Sequence, residues 1–218
     1  MFMKMLFQVT RNTLLLLLIF LSSNVVEAQK KQSDEIESIV ISFLNTSEEL
    51  TNYSLNGFTS KFTGDFVPIS DELEKELIEK FPDYKFYIAK MLVAIDPPAR
   101  EYDLILVVNT KSKEIKGHIW GEYALIHPSK SFKNILKGYQ AKTTEDAIEK
   151  VKLVAKLIAF TSNNDKIGDA KVKNGKVQVE LIRGEGVFGI LEVEINKCLQ
   201  FDRLFITEPN GKKLRYFV

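Results

Sequence analysis

Five consecutive apolar residues, Leu104-Ile105-Leu106-Val107-Val108, lie between two connections too short to hold more than a turn, Asp96–Arg100 and Thr110–Lys113. A strand that is apolar on both faces has to be covered on both. Neighbours joined by so few residues run antiparallel, because a parallel pair needs a crossover of a dozen residues or more. Tyr84–Ile95, Glu101–Asn109 and Glu114–Ile126 are therefore expected to form a meander, with the middle strand at its centre and helix against one side.

Before this meander the apolar residues recur with helical spacing. Ile36, Ile39, Val40, Phe43 and Leu44 place one stripe on a helix from Ser33 to Leu44. After a mixed stretch at 45–69, read as loop with a short strand, Ser70 stands at the N-cap position of a second helix. Its first turn carries Asp71, Glu72 and Glu74, favourable at a helix N-terminus, its stripe is Leu73, Leu77 and Phe81, and Pro82 stops it. The order then repeats. A lysine-bearing connector from His127 to Lys142 leads to a helix capped by Thr143 or Thr144 and running to about Phe160, with Ile148, Val151, Ala155 and Ile158 on its stripe. Five short strands follow: Asp169–Lys173, Lys176–Arg183, Val187–Ile195, Gln200–Glu208 and Lys213–Val218. Asn174-Gly175 joins the first two, and both residues tolerate the positive φ of a type I′ hairpin turn.

The expected class is α+β, with helices packed on curled antiparallel sheets and the helix-then-meander order occurring twice. Residues 29–135 hold the first helices and a three-stranded meander, and 136–218 hold the long helix and further strands. These are two domains or halves of one.

Residues 1–28 have the layout of a removable export signal: Lys4 and Arg11, then the apolar run from Leu14 to Leu21, then small residues at Val26 and Ala28. The 13 residues from Leu14 to Val26 reach only about 20 Å as a helix, against roughly 30 Å of hydrocarbon. Cleavage after Ala28 and an exported, secreted or periplasmic, chain without a membrane span are therefore expected, with an anchored form as the alternative. The rest of the chain has 28 basic and 28 acidic side chains, which gives no electrostatic argument for nucleic acid. Cys198 is the single cysteine, so no internal disulfide forms, and it falls in an apparent turn, Asn196-Lys197-Cys198-Leu199. Asn45-Thr46-Ser47 and Asn52-Tyr53-Ser54 match a glycosylation acceptor pattern that matters only in a eukaryotic secretory route.

Gly184-Glu185-Gly186-Val187-Phe188-Gly189 matches the dinucleotide-binding spacing, but that loop must open a helix, and Ile190–Ile195 alternates as a strand. It reads as a hairpin connection. Two histidines and one cysteine in no ligand-like spacing point to no metal and no cofactor. The candidate ligand-binding face lies on Glu114–Ile126. There Lys116, His118, Trp120 and Glu122 alternate onto one side, an aromatic plate flanked by hydrogen-bonding groups, and Ile115, Gly117, Ile119 and Gly121 take the other. His118 and Glu122, four residues apart on a strand, are separated by about 13 Å, too far for shared catalysis. The connector lysines Lys130, Lys133, Lys137 and Lys142 form a second, basic candidate surface. The expected function is non-enzymatic: binding or assembly with a protein or small ligand through a sheet face. A small hydrolase-like enzyme with a cleft between helix and sheet is the alternative.

Overall fold

The strand with two apolar faces sits third in a five-stranded sheet. In the computed structural model, which describes residues 30–47, 50, 59–94, 99–120, 132–133, 135–161, 165–207 and 209, strands β1 (Thr59–Phe66), β2 (Tyr84–Ala94), β3 (Arg100–Asn109), β4 (Ile115–Trp120) and β5 (Phe132–Lys133) lie side by side in chain order, all antiparallel. Leu104 to Val108 are at most 1% exposed. A second antiparallel meander contains β6 (Asp165–Lys173), β7 (Lys176–Arg183), β8 (Gly186–Ile195) and β9 (Phe201–Thr207), again in chain order. The fold is α+β with the helix-then-meander order present twice.

The chain divides into two units, 1–42 and 43–218. The first contributes most of helix α1, residues 30–46, on which Ile36, Val40 and Leu44 are buried as their spacing requires. Both meanders belong to the second unit. Helix α2 (Asp71–Lys80) begins at Ser70, which holds an extended N-cap backbone without a side-chain cap bond, and its buried residues are Leu73 and Leu77. Helix α3 (Thr144–Phe160) is capped by Thr143, whose hydroxyl accepts from the Asp146 amide at 3.1 Å. It lies across β6 and β7 and touches α2, which in turn touches β2.

Two hairpins follow directly from their glycines. Asn174 and Gly175 have φ of 52° and 71° between the paired Lys173 and Lys176, the conformation a two-residue primed turn needs. Gly184-Glu185 turns β7 into β8, with Arg183 opposite Gly186, so the glycine-spaced motif is a hairpin that opens a strand.

Three elements differ from the sequence expectation. Strand β1 is eight residues long, and its register shifts between Phe62 and Phe66, where Gly64 adopts φ 99°. Strand β6 begins at Asp165, four residues early, because a bulge between Ile167 and Ala170 breaks the alternation there. The connector contributes β5 and an isolated bridge from Gln140 to Gln200. The export signal at 1–28, residues 121–126, His127, Lys130, Asn52-Tyr53-Ser54 and the last expected strand, Lys213–Val218, lie outside the described residues.

Among the described residues no helix is long and apolar enough to cross a membrane. Nor does any group of three or more His, Cys, Asp or Glu side chains stand close enough to hold a metal ion.

Candidate binding surfaces

From Gly117 to Trp120 strand β4 keeps its expected alternation, with His118 opposite Leu106 and Ile119 opposite Ile105, but Val107 faces Gly117 and Val108 faces Ile115, so Lys116 falls at a bulge that puts Ile115 and Gly117 on opposite faces. Both of its faces are covered here, since His118 is 1% exposed and Ile119 0%. The cover over His118 includes the Phe43 ring, 6.5 Å away between centroids and tilted by 46°. Lys116 is partly exposed and pairs with Glu114 at 2.8 Å, and this hydrogen bond is the main reason its ammonium pKa is raised. Trp120 is described by its backbone place alone, opposite Leu104, and Glu122 lies outside the described residues. Of the four proposed ligand-binding residues, the structure thus buries His118 in the interior and sets Lys116 at a bulge, so the expected shared face of Lys116 and His118 is not formed by regular alternation.

A cleft of about 440 Å³ runs between α2, the end of α3 and the start of β6, with Leu73, Ala159 and Ile167 among its apolar lining residues. Two of its three carboxylates, Glu76 and Asp165 but not Glu72, are held by cations. Glu76 accepts from Lys156 at 2.5 Å, and Asp165, with only 3% of its side chain exposed, receives a two-pronged bond from Arg183 at 2.8 and 3.0 Å.

Beyond the cleft, the helices meet over a buried cation that the sequence reading did not single out. Lys150 is 4% exposed on the apolar side of α3. It pairs with Asp146, one turn earlier, and lies 5.9 Å from the Phe81 ring centre and 5.4 Å from that of Tyr139. Asp146 also accepts from the Lys142 amide at 2.7 Å. Burial pushes the Asp146 pKa up, but the Lys150 and Lys142 hydrogen bonds and the nearby charges of Lys150 and Lys80 outweigh it and hold the carboxyl below its usual range. This cluster ties α2, the connector and α3 together. Its sequence signal was available, because Lys150 falls three residues after Ala147 and four before Val154, on the stripe itself.

The second sheet offers a different surface. One face is apolar and buried: Val177, Val179, Leu181, Leu191, Val193 and Ile206 are all 0% exposed. The alternate residues point away from it. On that outward face Gln178 stands opposite Glu192, and Glu192 opposite Phe205. Lys176 and Gln178 both bond the Glu192 carboxylate, at 2.9 and 2.5 Å, and the Lys176 ammonium lies 4.4 Å from the Phe205 ring centre. Half-buried Ile182 and Ile190 continue the face. Sequence counting from the Gly184-Glu185 turn would misalign this set by one, because the ladder shifts between Leu181 and Ile182. Comparison with known proteins finds no matching family, no matching curated protein and no matching solved structure.

Proposed function

We propose that this is an exported, non-enzymatic binding or assembly protein that recognises a protein or small ligand through a sheet face. The observation that carries this reading is the asymmetry of the second sheet. Its inner face is packed to zero exposure at Val177, Val179, Leu181, Leu191, Val193 and Ile206, whereas the outward face sets Ile182, Ile190 and Phe205 among Lys176, Gln178 and Glu192, all held in register by the β7–β8–β9 ladder. A rigid, mixed apolar and polar face of this kind supplies contact area at little ordering cost. The ion pairs that engage Glu76 and Asp165 in the α2–α3–β6 cleft support this reading over a hydrolase. The lysines and Trp120 of the first sheet remain a second candidate face, to be compared in the same experiment. Export rests on the layout of residues 1–28, and a mature chain beginning at Gln29 is the expected product.

Photo-crosslinking in the native envelope tests the reading. A benzophenone side chain at Glu180 is expected to give an adduct of discrete mass, while the same group at Phe160 in the cleft gives none. Adducts from Phe160 alone, or from Lys116 on the first sheet alone, would move the site, and no adduct from Glu180 would refute the face.

A further inference from the structure

Among the described residues the second sheet ends at β6, which is its edge strand. Among the described strands it has one neighbour, β7, so no described strand pairs with the backbone groups on its other side. After the bulge, Ala170, Lys171, Val172 and Lys173 are in regular register with Val179, Gln178, Val177 and Lys176. Lys171 and Lys173 therefore project on the same side as Gln178 and Glu192, and Ala170 and Val172 on the α3 side. Val172 is 41% exposed, whereas Val177, its cross-strand partner, is 0% exposed. The apolar layer thus runs out to the edge and stops there uncovered.

The charges at the edge are equally unbalanced. Lys176, on the inner neighbour, is neutralised by Glu192 at 2.9 Å, but no described carboxylate pairs with Lys166, Lys171 or Lys173. The stretch Ala170–Lys173 carries two cations and no acid. Two copies of it repel each other, so the lysines guard against self-pairing while remaining complementary to an acidic strand.

We infer that residues 170–173 of β6 form a strand-addition site for an extended segment of another protein in which acidic and apolar residues alternate. The acidic side chains lie over Lys171 and Lys173, the apolar ones extend the layer at Ala170 and Val172, and the backbone of the segment completes the ladder. This rests on the sheet-recognition reading above and deepens it by naming the partner's chemistry.

The test uses the full mature chain and synthetic fluorescent peptides, followed by anisotropy at low salt. A peptide of alternating glutamate and valine is expected to bind. Three changes should each weaken it at least tenfold: grouping the same residues into blocks, methylating alternate backbone nitrogens, and replacing both lysines in a Lys171→Glu/Lys173→Glu variant. The double variant should in turn bind the corresponding lysine–valine peptide, a gain that misfolding cannot produce. Equal binding of the blocked or methylated peptide would overturn the proposal in favour of a plain cationic patch. Concentration-dependent dimerisation that blocks the peptide would assign the edge to a second copy. If no peptide binds while the Glu180 crosslink forms, the edge proposal fails and the face reading stands.

Discussion

Removing Asp146 should cost far more than removing its partner Lys150, although each deletes the same ion pair. The side chains are 16% and 5% exposed respectively, so the Lys150 ammonium is the deeper of the two charges. In Asp146→Ala it is left without its carboxylate, facing Phe81 and Tyr139 at 5.9 and 5.4 Å. Breaking a buried pair in this way costs about 3–5 kcal/mol, and the two ring contacts return about 1 kcal/mol, leaving about 3 kcal/mol. In Lys150→Met the stem volume is kept, and Asp146 retains the Lys142 amide at 2.7 Å and some solvent, for a loss of about 1 kcal/mol. The double variant loses little beyond that amide bond, again about 1 kcal/mol, so the cycle should show a coupling of about 3 kcal/mol. Urea unfolding at neutral pH measures all three, and the midpoint temperature of Asp146→Ala should fall by roughly 6–12 °C. A Lys150→Met variant as damaged as Asp146→Ala, or a coupling below about 0.5 kcal/mol, would refute the reasoning. The pH dependence gives a second reading of the same pair. Because the folded pKa of Asp146 is lowered, its contribution is complete above the unfolded carboxylate value near 3.9 and is lost as pH falls through the lower folded value. The wild type should therefore lose more stability than Asp146→Asn as acid is added through that window.

Three further outcomes are expected. Gly175→Val forces a β-branched residue to φ 71° and should destabilise the chain by about 1–2 kcal/mol in urea unfolding, whereas Asn174→Gly should be nearly neutral. The Tyr139 phenol, whose pKa is raised first by burial and then by the charges of Tyr84, Asp146 and Asp83, donates to the Lys80 carbonyl at 3.2 Å. In an ultraviolet titration Tyr139→Phe should remove a late-ionising tyrosine, and the stability this group contributes below its unfolded pKa should disappear as pH rises through the folded one. Cys198 is exposed in its turn, so the native chain should react with a soluble aromatic disulfide without denaturant; reaction only after unfolding would contradict that turn.

The parts of the fold legible in the sequence are those fixed by neighbours in the chain. Leu104–Val108 announced a central strand, Asn174-Gly175 a primed hairpin, and the Thr143-Thr144 pair a capped helix, because each depends on residues within one turn or strand. The misread elements contain bulges. Phe62 and Phe66 stand on one face with their rings 5.2 Å apart, but the register shift and the φ 99° of Gly64 between them hide the strand. Ile167 and Ala170 both point to the α3 side despite opposite parity. The candidate sites were less legible for a different reason: whether a face is open depends on distant chain. His118 looks surface-like by alternation, yet Phe43, 75 residues earlier, helps to cover it.

Every described strand pair in both sheets joins consecutive strands. Most closures therefore span only a hairpin or a short connection, the exceptions being β1–β2, which closes over α2, and β4–β5, which closes over residues 121–131. Chains wired by such local contacts fold quickly for their size, and hairpins themselves form in about 1–10 μs. Once residue 207 is available, β6 to β9 can zip up along one another without waiting on β1 to β5. The Asn174-Gly175 turn then becomes a timing element: a substitution that strains it should slow folding of the second meander more than it speeds unfolding, a bias visible in the two arms of a chevron plot.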